Sequence, residues 1–313
     1  MIALDSALLS KLFGKRARED GIPRPPMEDA AVVPLGEAGD LLVALRSIEH
    51  SFEELEKISP DLAGRKALAK AVAAISAMGA GVTGYCAEIH LGETSSSTLL
   101  QSVLGGLMGE QRTASTSMFG LEVISDASTT RVAITAIALT PCGLWLPRSG
   151  ACLGDELWVS GTVGDAELGR LALDGQGPPL STAQRHDVIA RFAAAPCRRE
   201  LAITLPEIAT AAIDVSNGLT SAVEALESAS KLTADVDWSR APFSPTSLAA
   251  ISQDVGLMKR LLGGADDHEI LFTVPPGVDP EQHCVDRLCR LTRIGTMKPK
   301  QIVQVTSDSA GMS

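Results

Sequence analysis

The chain has 313 residues and a formal net charge of −11, with 27 Lys and Arg set against 38 Asp and Glu. That balance excludes a broad basic surface for nucleic acid or anionic membrane, although a local cation or a bound metal could still hold a nucleotide. Hydrophobic residues at 45% with aromatics at only 3% exclude a wide platform for stacking bases and leave core packing to aliphatic side chains and alanine.

In chain order, residues 5–20 mix Leu8, Leu9, Leu12 and Phe13 with basic residues, which predicts a short amphipathic helix. The prolines between Ile22 and Pro26 then break regular structure. Ala30 to Val33 and Leu41 to Leu45 read as two short strands around a Gly-containing turn. Residues 64–80, rich in Ala and closed by Gly79, predict a helix; Tyr85 to Leu91 predicts a strand and Ser97 to Leu107 a helix. Gly105 to Gly109 reads as that helix's end rather than a phosphate cradle. Gly120 to Ile124 and Arg131 to Leu139 supply two more strands. Pro141, Gly143, Pro147 and Gly150 punctuate the chain densely, and a domain boundary is placed there, giving domains over 1–147 and 148–306 with a flexible tail over 307–313.

The second half opens with a strand, Glu156 to Ser160, running into Gly161-Thr162-Val163-Gly164, after which Asp165 is positioned to cap a helix. Thr182 to Ala195 predicts a helix stopped by Pro196. Ala212-Ile-Asp-Val215 reads as a buried strand ending in the carboxylate of Asp214, followed by a turn through Asn217 and a helix from Gly218 to Ala229. Leu271 to Val274 predicts another strand. The six cysteines form no CxxC pair, which removes zinc-site spacing. Scattered thiols and the absence of a basic-then-apolar leader suit a cytoplasmic chain, and no apolar run reaches the roughly 20 residues of a membrane helix.

Three constellations bear chemistry. Glu28 and Asp29 are adjacent acids before the first strand. Gly161, Thr162, Gly164 and Asp165 form a Gly-containing turn before a helix, equally readable as a tight connection or as an anion site on backbone N–H groups. Asp266, Asp267, His268 and Glu269 read by themselves as a charged, solvated turn. His50 and His90 read as structural, and Arg198 and Arg199 as surface or interdomain pairs.

Segments across the chain resemble thiamine-monophosphate kinase, of the aminoimidazole ribonucleotide synthetase (PurM-like) superfamily. Ala212 to Leu219 is similar to its Ile-Asp-x-Ser-Asp-Gly-Leu motif, Glu28 to Val32 to its Asp-Asp-Ala-Ala-Val, and Ala265 to Phe272 to its Gly-Glu-Asp-Tyr-Glu-Leu-Leu-Phe. Gly64 to Ala69, Arg148 to Ala151, Gly161 to Ala166 and Arg293 to Gly295 match further segments in order. The resemblance implies a two-domain α/β (α+β) fold, with an N-terminal sheet domain that dimerises and a C-terminal domain of helices on a mixed sheet. It implies ATP and magnesium as cofactors, a nucleotide site near the dimer interface and a small phosphorylated metabolite as substrate, in thiamine biosynthesis.

On that resemblance Glu28, Asp29, Asp126 and Asp214 are the metal candidates, and Arg46 and Asn217 join the Gly161–Asp165 turn as nucleotide or phosphate candidates. Asp266 to Glu269 become the substrate wall. The family acids are missing at three places: Arg46, Ala74 and Asn217 stand where the motifs have Asp, and Asp126 is shifted in register. Two functions remain open: an ATP-dependent phosphotransferase, or a catalytically impaired homologue that binds a nucleotide, a metabolite or a partner.

Overall fold

The computed structural model describes residues 28–50, 59–92, 96–127, 129–194, 196–283 and 289–300. The helix expected over residues 5–20 and the polar tail lie outside them. The described residues form two five-stranded sheets. The first is ordered β1 (Ala31–Pro34), β2 (Asp40–His50), β5 (Thr130–Thr140), β3 (Gly84–Gly92), β4 (Met118–Ala127). The parallel pair β3–β4 is joined by helix α2 (Ser97–Thr113), and the other pairs are antiparallel.

Alternation sets the faces of this sheet. Leu42, Ala44 and Ile48 on β2 and Val132, Ile134, Ala136 and Ala138 on β5 point into the core, with Tyr85, Ala87 and Ile89 on β3. Helix α1 (Pro60–Ala77) covers that side. Its alanine content lets it be buried on nearly every face, because it is sandwiched between the first sheet and the second half of the chain. The opposite face of the sheet is open: Val33, Leu45, Phe119 and Leu139 are 39–65% exposed.

Helices α1 and α2 approach closely at two glycines. A Cβ on Gly64 would lie 2.0 Å from the Val103 carbonyl oxygen, and one on Gly106 would lie 1.8 Å from that of Asp61. Gly105 and Gly106 therefore sit inside α2, which runs on to Thr113, and not at its end as the glycine run suggested. Packing against α1 explains Gly106, whereas nothing in the structure explains Gly105.

The second sheet is ordered β7 (Ala211–Asp214), β9 (Ile270–Val274), β6 (Glu156–Ser160), β10 (Leu291–Pro299), β8 (Leu232–Val236). All of its described pairings are antiparallel, whereas the resemblance implied a mixed sheet. Helices α3 (Asp165–Leu173), α4 (Thr182–Ala193) and α5 (Leu219–Ser230) pack on one side, around Leu157, Val159, Leu168, Leu171, Ile213 and Leu219. A separate cluster of Leu146, Leu201, Leu205, Ile270, Phe272 and Leu291 backs the sheet. Every residue of β7 and β9 is buried, which is why both read as continuous apolar runs. Among the described residues, no helix is long and apolar enough to cross a membrane.

Candidate functional site: the crevice between the two sheets

Asp29 and Asp214 meet although 185 residues separate them, because α1 packs against β7 and brings the start of β1 to its end. Asp29 is 3% exposed and fully engaged. Its Oδ1 accepts from Arg148 Nη2 at 2.5 Å, and its Oδ2 accepts from the Asp214 amide at 3.1 Å and, at 3.4 Å, from Arg148 Nε. Glu28 Oε2 accepts the Arg148 amide at 2.8 Å. Burial pushes the Asp29 carboxyl up, opposed by the Arg148 guanidinium and helped by the nearby charge of Asp214. Arg46, half-buried on β2, donates to the carbonyl oxygens of Asp29 at 2.7 Å and Leu45 at 3.0 Å.

The acidic loop before β9 forms the facing wall, and its backbone decides where its acids go. Asp266 and His268 both have positive φ, 72° and 51°, a conformation that costs side chains other than glycine. The alternation sends Asp266 toward α1 and His268 toward Asp214, and sends Asp267 and Glu269 into the second half. Asp266 accepts from Lys66 Nζ at 2.9 Å and Lys70 Nζ at 3.1 Å, both on α1. His268 Nδ1 is 3.2 Å from each carboxylate oxygen of Asp214, and its Nε2 lies 3.5 Å from Asp266, outside hydrogen-bond geometry.

Burial opposes charge on His268, yet Asp214 and Asp266 outweigh it and lift the imidazole to about 9. Burial likewise opposes the Asp266 charge, but His268, Lys66 and Lys70 hold its carboxyl well below the usual range. Lys66, over the Phe192 ring at 3.4 Å, is pulled down by burial against the support of Asp266.

The other two acids build the scaffold. Asp267 accepts the Gly164 amide at 2.6 Å and the Ala166 amide at 3.2 Å, closing the N-terminus of α3 from across the fold. Burial outweighs those two bonds and pushes its carboxyl up to about 7. Glu269 is completely buried; Arg198 grips it through two bonds of 2.7 Å, with Ser160 Oγ at 2.6 Å and Arg191 at 3.1 Å. This charge set is not the solvated turn that composition alone suggested.

In the Gly161–Asp165 turn, the amides of Gly161, Val163 and Gly164 are committed. Gly161 N donates to Arg290 O at 2.7 Å and Gly164 N to Asp267. The helix cap is Gly164, at φ 84°, and not Asp165, whose carboxylate accepts from Thr162, Ser244 and Ser247 instead. A tight strand-to-helix connection accounts for all of these contacts. Asn217 is exposed beside the crevice, and Ala74 is buried under the first sheet.

Magnesium needs several oxygen ligands with free lone pairs around one point. Glu28 and Asp29 face Arg148, and Asp214 faces His268. The Asp126 side chain lies outside the described residues. Among the described residues, no group of three or more His, Cys, Asp or Glu side chains is placed to hold a metal ion. The acids present do not fit that ion.

Lys66, Lys70 and Arg148 were not singled out by sequence reasoning. Two lysines four apart on one face of an alanine-rich helix were the available signal. For Arg148 no local signal existed, since its partner lies 119 residues away.

Residues 27–140 match the family described as AIR synthase related protein, N-terminal domain. Over 271 residues it is 28% identical to the thiamine-monophosphate kinase of Caulobacter vibrioides, covering 86% of this chain and 76% of that one. The solved structure described as AaThiL complexed with AMPPCP and TMP superposes with a TM-score of 0.80 at 19% identity, covering 96% of this chain and 94% of its own. The thiamine-monophosphate kinase of Stenotrophomonas maltophilia superposes at 0.76 with 24% identity, covering 95% of both chains. The chain shares the two-sheet α/β fold of these solved structures, as the motifs implied.

Proposed function

We propose that the chain is an ATP-dependent phosphotransferase of thiamine-monophosphate kinase type, acting on a small phosphorylated metabolite. The observation that supports it most is the convergence of Asp29, Asp214 and Asp266 in one crevice of a chain similar to such kinases along most of its length. Transfer of a phosphoryl group to a phosphate oxygen needs in-line placement and neutralisation of charge more than covalent help. Arg148 and Arg46, both partly exposed, are the guanidinium groups available to face phosphate oxygens here. Magnesium entering the crevice would come with the nucleotide's own phosphates, since the described acids do not form a ready site. Thiamine monophosphate is the first acceptor to test.

The open face of the first sheet, with Val33, Leu45, Phe119 and Leu139, supports a homodimer, because an apolar sheet face of this kind is normally covered. Domains over 1–147 and 148–306 and a cytoplasmic location belong to the same reading. A second reading, a nucleotide- or metabolite-binding homologue with little catalysis, is favoured by the pairing of Asp29 with Arg148. ATP turnover with and without thiamine monophosphate separates the two. Product formation above the background hydrolysis rate supports the kinase; ATP binding without turnover supports the second reading, and neither binding nor turnover refutes both.

A further inference from the structure

Asp29 is almost completely buried, and a carboxylate in that position needs a permanent counter-charge. In a magnesium site the ion supplies it. Here the chain supplies its own: the planar fork of Arg148 spans both oxygens of Asp29, while its backbone amide holds Glu28. The second free oxygen direction of Asp29 is taken by the Asp214 amide, which ties the two acids together without a metal between them. Arg46 adds another guanidinium 2.7 Å from the Asp29 carbonyl, at a place where the related motif has an acid. A divalent ion entering between Asp29 and Asp214 would have to displace one arginine and approach a second, at a large Coulomb cost.

We infer that Arg148 is the resident counter-cation of this crevice, that Arg46 reinforces it, and that the chain binds nucleotide polyphosphate without a protein-held divalent metal. This rests on the nucleotide-binding reading above. The guanidinium of Arg148 keeps an edge for such a ligand. Nε and Nη2 face Asp29, Nη1 has no hydrogen-bond partner among the described residues, and the side chain is 23% exposed. Its fork suits phosphate oxygens, and phosphate can share the cation with Asp29 without breaking the pair.

The test uses the full chain and two probes. Mn2+ alone, followed by the paramagnetic resonance of the free ion, is expected to show no saturable binding below about millimolar concentration, the range of weak carboxylate sites. ATP affinity by calorimetry in EDTA is expected to stay within about tenfold of that in magnesium. Arg148→Gln is expected to lose at least about tenfold in ATP affinity in EDTA and to gain Mn2+ binding, because Asp29 is released. Tight Mn2+ binding by the wild type, or ATP binding that vanishes in EDTA, would overturn the inference. The wild-type measurements decide it even if the variant does not fold. ATP that binds in neither medium would refute the nucleotide reading, while the Mn2+ titration still tests the resident counter-cation.

Discussion

His268 Nδ1 stands 3.2 Å from both carboxylate oxygens of Asp214, and both residues are more than nine-tenths buried. With Asp266 on its other side, the imidazole is raised from 6.5 to about 9. A group whose folded pKa is raised contributes stability that is complete below its unfolded pKa and disappears as pH rises through the folded one. Unfolding free energy should therefore fall between about pH 6.5 and 9, by on the order of 2–3 kcal/mol from this group alone. Urea denaturation at several pH values checks it. His268→Gln should flatten that part of the curve; an unchanged slope in the variant would show that the fall comes from elsewhere.

Glu110 on α2 predicts a second pH effect, in a lower window. It is 4% exposed, burial pushes its carboxyl up to about 7, and Arg65 opposes this only partly. A raised carboxyl costs stability as pH climbs from its unfolded value of 4.5 through about 7. Glu110→Gln should accordingly stabilise the chain at pH 8 by on the order of 2 kcal/mol and do little at pH 4. Equal effects at both values would point to packing rather than ionisation.

The α1–α2 contact offers a paired test in neighbouring residues. A Cβ on Gly106 would meet the Asp61 carbonyl oxygen at 1.8 Å, whereas one on Gly105 meets nothing within 4 Å. Gly106→Ala should destabilise by about 1–3 kcal/mol, the cost of overpacking. Gly105→Ala should stabilise by about 0.5–1 kcal/mol, the ordinary helical preference. Thermal melts that shift in the same direction for both would contradict this packing.

These cases show what the sequence made legible. Strands such as Tyr85 to Leu91 and Glu156 to Ser160 declare themselves by alternation or by an apolar run, and the alanine-rich helix α1 by length. Short elements such as Arg199–Thr204 and Leu257–Leu262 do not, because one and a half turns show no period. In the crevice, the acids were legible as types but their partners were not. Whether Asp266 faces Lys66 or solvent depends on a positive φ at two residues that are not glycine, and no spacing rule supplies that. The pairing of Asp29 with Arg148 is set by how two sheets dock, which composition does not encode.

Arg46 gives the sharpest functional prediction. As a purely structural cation it would pair with Glu28, Asp29 or Glu49, but it reaches no carboxylate among the described residues. It donates to the carbonyls of Asp29 and Leu45, while Glu49 accepts from Thr129. Loss of hydrogen bonds to carbonyls at a partly exposed site costs only about 0.5–1.5 kcal/mol each. Arg46→Ala should therefore lower stability by about 1–3 kcal/mol in all. If its charge faces phosphate, ATP affinity should fall as well, by on the order of 1.5–3 kcal/mol as for hydrogen bonds to charged groups. Arg46→Lys, which keeps the charge but lacks the planar fork, should recover part of that loss. Calorimetry and urea denaturation on the same preparations make the comparison. A variant that loses stability while binding ATP as tightly as the wild type would assign Arg46 to structure alone.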